Sequence, residues 1–128
     1  QDNNMLETIC TDLKTSKKLK ELGFNKETNF IWAELGNNKS NLYFNSINLP
    51  EDYYHKAYTL EQIIEEIPYK LKIEEDTYFF DLDHNEITYT SCHHLEETKY
   101  KFETEKNFDN IATATAKFWI KLKENNLI

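Results

Sequence analysis

The sequence contains no arginine; all 15 of its basic residues are lysine. Without a planar guanidinium there is no bidentate fork for phosphate or carboxylate, no arginine finger in cis and no arginine reading of guanine edges. Glycine and proline occur only twice each. Their scarcity excludes a glycine-rich phosphate cradle, a collagen-like repeat and a flexible linker. The two cysteines, Cys10 and Cys92, are too few for a disulfide scaffold, although one bridge would be compatible with an exported protein. No apolar run approaches the ~18 residues of a membrane span, so no membrane partner is expected. Residues Gln1–Glu7 are polar apart from Met5 and Leu6. They lack a leader-like apolar run, and a cytoplasmic location is the expectation.

What is present is a chain of 128 residues, 39% hydrophobic and 14% aromatic. That is enough to build one packed core and too aromatic for intrinsic disorder. The abundance of Lys, Asn, Ile, Tyr and Phe is that of an A+T-rich coding sequence. The 23 acidic residues give a net charge of −8, and their position matters more than their sum. Residues 1–50 are neutral, 51–110 carry net −10 and 111–128 carry net +2. The acidic middle repels nucleic acid, and no nucleic-acid partner is expected.

Hydrophobic periodicity gives the elements. Residues 1–12 are expected to be loose or weakly paired. A short helix follows, capped by Thr15 or Ser16, with Leu19 and Leu22 as its apolar edge and Gly23 as its left-handed C-terminal stop. Thr28–Leu35 and Asn41–Ile47 alternate as a hairpin around Gly36–Ser40. Pro50 opens a loop through His55. Thr59 and Gln62 form a capping box ahead of the stripe Leu60, Ile63, Ile64, Ile67, which Pro68 stops. Asp76–Asp83, Glu86–Cys92 and Thr98–Thr104 alternate as strands. A final helix from about Asp109 carries Ile111, Ala114, Phe118 and Leu122 on one stripe, with Ile120 opposite, so cover on more than one side is expected. The fold class is α+β: an antiparallel sheet of about five strands packed by helices, in the order α-β-β-α-β-β-β-α. After a loose segment 1–12, residues 13–128 form a single domain.

Three stretches resemble small phage- and prophage-encoded proteins of no assigned activity. They are Ser16-Lys17-Lys18-Leu19-Lys20-Glu21-Leu22-Gly23-Phe24 with Glu27-Thr28-Asn29-Phe30-Ile31-Trp32; Tyr58–Pro68; and Ala114–Ile128. The resemblance spans most of the chain but not residues 69–98. It implies an accessory protein of a mobile element inside a bacterial cell, and it supplies no catalytic residue and no cofactor.

Four constellations could carry chemistry. Asp81 and Asp83 share a strand face, and His84 and Glu86 follow; oxygen and nitrogen ligands of this kind suit a divalent metal, yet pairs of acids are common in so acidic a chain. Cys92 and His94 converge on one strand face, but a zinc site would need two further ligands, from Cys10 and His55. Cys92 has no nucleophile elbow or known cysteine signature around it. Tyr53, Tyr54, Tyr58, Tyr69 and Tyr78 among acids such as Glu61 and Glu65 suit a protein–protein surface; the alternative is the border of a small core. The leading expectation is therefore a non-enzymatic module that binds a host or phage protein and needs no cofactor. A small metal-dependent enzyme and an acidic mimic of DNA are the alternatives, and self-association through a free strand edge is left open.

Overall fold

The computed structural model describes residues 2–34, 40–44, 50, 53–73, 76–83, 86–91, 105–106 and 108–128. Their order is α1 (Asp2–Ile9), α2 (Leu13–Glu21), β1 (Phe30–Glu34), β2 (Ser40–Phe44), β3 (Tyr54–Ala57), α3 (Leu60–Ile64), β4 (Lys70–Ile73), β5 (Asp76–Asp83), β6 (Glu86–Ser91), β7 (Glu105–Lys106) and α4 (Ile111–Glu124). The class is α+β, as the sequence suggests. The single five-stranded sheet is not: the strands divide into two antiparallel sheets, β2-β1-β3 and β4-β5-β6-β7. The division comes from a strand that reads as loop. Tyr54–Ala57 pairs with the outer edge of β1, with Trp32 opposite His55 and Phe30 opposite Ala57, and so closes the first sheet before α3 begins.

The second sheet gains β4, a four-residue strand in which Lys70 and Lys72 are exposed while Leu71 and Ile73 are half-buried. That is the signature of one wet face. The β5–β6 hairpin runs from Tyr78 opposite Ser91 to Asp83 opposite Glu86. The strand expected over 98–104 lies outside the described residues, as does the turn 36–39; β7 adds only two residues, pairing with Glu86 and Ile87.

Residues 2–9, expected to be loose, form α1. Its polar sequence gives it little intrinsic drive, so tertiary partners must hold it. One is Asn110, the N-cap of α4. Its Oδ1 accepts from Thr113 N at 2.9 Å, while its Nδ2 donates to Glu7 O at 2.7 Å and Cys10 O at 2.8 Å. One amide thus satisfies a free donor at the start of α4 and free carbonyls at the end of α1.

The α2 N-cap is Asp12, which accepts from Thr15 N at 2.8 Å. Thr15 and Ser16, expected to cap, are buried inside the helix instead. The C-terminal stop is as expected: Gly23 has φ +90°. Phe24 N donates to Leu19 O and Gly23 N to Lys20 O, and this reversal brings Phe24 back over Leu19. The end of α4 repeats the device with Asn126 at φ 57°, where Leu127 N donates to Leu122 O.

Between α1 and α2, Thr11 is fully buried. Its N donates to Tyr58 O at 2.9 Å and its Oγ1 accepts from Tyr58 N at 3.1 Å. Its carbonyl accepts Trp32 Nε1 at 2.9 Å, and its hydroxyl lies 2.7 Å from Ser16 Oγ. An isolated bridge from Cys10 to Thr59 continues the seam.

Two cores result. The larger gathers Leu19, Phe24, Tyr58, Ile63 and Ile67 with Tyr78, Ile87 and Tyr89 around α4. The smaller joins Cys10, Trp32, Leu42 and Ala57. As its two-sided apolar pattern suggests, α4 is covered broadly: it contacts α1, α2 and α3 as well as β6 and β7. Phe118 stacks on Tyr89 with centroids 5.5 Å apart, and Trp119 meets the edge of Phe24 at 5.0 Å. Burial of each of these α4 aromatics contributes about 1.5–3 kcal/mol.

Asn110→Asp separates the two roles of this cap, because it keeps the acceptor for Thr113 and removes both donors to α1. The expected loss is about 1–2 kcal/mol of stability in denaturant titrations. Hydrogen exchange should quicken in residues 6–10 while α4 stays protected; uniform exchange across both helices would contradict this division of labour.

Candidate functional site

Among the tyrosines singled out in the sequence, the structure separates surface from core. Tyr53 and Tyr69 are 67% and 68% exposed, whereas Tyr58 and Tyr78 are buried. Tyr58, expected as a contact residue, is therefore a core residue. Its ring meets the edge of Phe24 at 4.7 Å and its Oη accepts Lys26 N at 3.3 Å. Burial raises its pKa, and the Lys26 N–H opposes this only partly. Tyr54 is half-buried on β3.

These residues do not form one patch. Tyr53 precedes β3 of the first sheet, and Tyr69 stands at the start of the second sheet. Tyr69 is exposed yet anchored. Its ring lies edge-on to Phe79 at 5.7 Å, its carbonyl accepts Phe80 N at 2.9 Å, and the preceding Pro68 carbonyl accepts the Tyr89 hydroxyl. Burial holds that hydroxyl protonated far above the usual tyrosine range.

Glu61 and Glu65 are exposed on α3 and the turn that follows. Glu65 shares the Lys26 ammonium with Glu66, at 2.5 and 3.0 Å. These hydrogen bonds, Glu65's first, raise the lysine pKa. The described acids do not make an uninterrupted row: Lys26 offsets one charge of this pair, and Lys70 and Lys72 lie on β4, next to β5 with Asp81 and Asp83.

Asp81 and Asp83 do share the outward face of β5, both exposed, with Leu82 turned inward. His84, Cys92 and His94 lie outside the described residues. Cys10, proposed to complete a zinc set, is buried within the smaller core, and burial pushes its thiol up to about 11. A thiol held protonated is a poor nucleophile and a poor ligand. Among the described residues no group of three or more His, Cys, Asp or Glu converges in a way that could hold a metal.

The structure adds a feature the sequence reading missed. A cavity of about 200 Å³ opens between α2 and β3, lined by Lys20, Phe24, Asn25, Tyr54, Lys56 and Tyr58 among others. The alternation of an extended chain sends residues 54, 56 and 58 to one side. Lys56 Nζ donates to Asn25 Oδ1 at 2.8 Å. The only advance signal was the lysine density of residues 14–20.

His55 lies in the same strand, opposite Trp32. Its Nδ1 is buried without a hydrogen-bond partner among the described residues. Burial first, then Lys20 and Lys17, lowers its pKa from the ordinary 6.5, so the ring is neutral at pH 7. No known family model, curated protein or solved structure matches this chain.

Because the folded chain resists charging His55, its contribution to stability is complete above pH 6.5, where the unfolded ring is neutral too. It is lost as pH falls through the lower folded value. Thermal unfolding of the protein should show a midpoint that falls over this acidic window, and His55→Gln should flatten that part of the profile. Identical slopes in both proteins would exclude His55 as a source.

Proposed function

We propose that the chain is a non-catalytic protein-binding module of the phage-accessory type, acting on a host or phage protein through a surface centred on Tyr69. The observation that carries this reading is a large aromatic side chain that is mostly exposed, yet packs its ring edge-on to Phe79 and stands on backbone held at the Pro68 and Tyr69 carbonyls. Exposed apolar area usually counts against a surface residue. An anchored tyrosine loses little conformational freedom when a partner covers it, and tyrosine is among the residue types that dominate binding energy at interfaces.

Glu61 and Glu65 precede Tyr69 and suit a partner with a basic rim around an apolar pocket. The phage-accessory role rests on the three resembling sequence stretches. The interruption of the acids by Lys26, Lys70 and Lys72 favours this reading over imitation of DNA, which needs a continuous row of anions.

Affinity purification from a bacterial host, followed by binding measurements with the recovered protein, tests the reading. Tyr69→Ala should weaken binding by about 2 kcal/mol and lower stability only by the loss of the Phe79 edge contact, about 1 kcal/mol, because most of the ring is already exposed. Tyr58→Phe, a core change, should leave affinity intact. A partner that binds Tyr69→Ala as tightly as the parent protein would overturn the assignment of this surface, and failure of any protein to bind stoichiometrically would overturn the function.

A further inference from the structure

We infer that the cleft between α2 and β3 is a binding site for a small aromatic carboxylate, with Lys20 and Lys56 taking the carboxylate and Phe24, Tyr54 and Tyr58 taking the ring. The inference stands on the cleft alone and does not depend on the protein-binding reading.

Size comes first. The cavity holds about 200 Å³. An apolar cavity of roughly 150 Å³ accepts a benzene ring, whereas sites for drug-sized ligands run from about 300 Å³ upward. The space therefore fits one ring with a short acidic substituent and is too small for a nucleotide. Its walls agree. Phe24 and Tyr58 already meet edge to face, and Tyr54 lines the same space. A further ring in the cleft would lie against the half-buried Tyr54, over the edges that Phe24 and Tyr58 leave uncovered, and gain the offset or edge contacts that aromatic groups prefer.

Charge selects the substituent. In a chain of net charge −8, the described lysines near acids are used up: Lys18 pairs with Glu21 and Glu124, and Lys26 with Glu65 and Glu66. The two that line the cleft are not. Lys56 is positioned by the neutral amide of Asn25, which fixes its ammonium without cancelling the charge. Lys20 has no carboxylate partner among the described residues. Two ammonium groups without a carboxylate partner among the described residues, in a cleft also lined by aromatic rings, attract an anion that also carries an apolar body. Inorganic phosphate satisfies only the first requirement, and a neutral ring only the second.

The backbone explains why the cleft persists. The left-handed turn at Gly23 reverses the chain at the end of α2 and sets Phe24 over Tyr58. Tyr58 N and O are in turn fixed by Thr11. The floor is thus pre-organised, and little ordering is left for a ligand to impose.

The test is a titration of the full chain with sodium benzoate and sodium phenylacetate, followed by amide chemical shifts, with benzyl alcohol and inorganic phosphate as controls. At least one aryl carboxylate should saturate with a Kd of about 1 mM or tighter, shifting the amides of residues 20–25 and 54–58. Both controls should bind at least about tenfold more weakly. Lys20→Met and Lys56→Met keep the aliphatic stems, and the double variant should lose about tenfold or more in affinity while its amide spectrum stays folded. Three results would overturn the proposal: no saturable shift with either carboxylate, phosphate or benzyl alcohol binding as tightly as the carboxylates, or full affinity in the folded double variant.

Discussion

A buried threonine is tolerated only if every polar atom it takes from water finds a partner, and Thr11 meets that condition through three separate parts of the chain. Tyr58 uses both of its backbone groups on it, Trp32 reaches its carbonyl, and Ser16 reaches its hydroxyl. If Thr11 Oγ1 donates to Ser16 Oγ, and Ser16 Oγ to Thr11 O at 3.4 Å, the network closes with no donor left over. Its consequence is positional. The end of β3, the indole of β1 and the first turn of α2 cannot move independently, so the two cores share one boundary. The cleft between α2 and β3 inherits its floor from this arrangement, and the chain enters α3 at a fixed place.

The charge pattern acquires meaning only against that frame. The acids are concentrated in the middle of the sequence, but in space part of that charge is answered by Lys26. Of the lysines of α2, Lys20 meets Lys56 of β3 across a shared cleft, whereas Lys18 turns to Glu21 and Glu124. A net charge of −8 slows association with other anions; it says nothing about the sign of the potential at a particular cleft. Local geometry decides that, as the side chains of Lys20 and Lys56, 36 positions apart, demonstrate by lining the same cavity.

Features written in short-range pattern were legible. Thr59 N does donate to Gln62 Oε1 at 2.9 Å, Gly23 does adopt the left-handed stop, and α4 is covered on several faces. Strand alternation correctly assigned Tyr78, Phe80 and Leu82 to one face of β5, but alternation specifies a face and not a neighbour. That is why alternation suggests one sheet where the described strands form two. The polar α1 escaped notice because its carbonyls are satisfied by a residue about a hundred positions away. For the candidate site, tyrosine's intermediate polarity left Tyr53 and Tyr69 indistinguishable from Tyr58 and Tyr78, since an amphipathic ring is equally at home in a core border and on an interface. The α2–β3 cleft was invisible for the same reason as β3 itself: four residues containing a histidine and a lysine carry no apolar signal of their own.

The twofold use of Asn110 has a consequence for how the chain is made. A ribosome delivers residues in order, and the amide that completes α1 arrives about a hundred residues after Glu7 and Cys10. Until then α1 has its helical carbonyls open to water, and a helix this short is marginal by itself. The same event that nucleates α4 by capping Thr113 therefore fastens α1, so that a helix made about a hundred residues earlier waits for this partner to be secured.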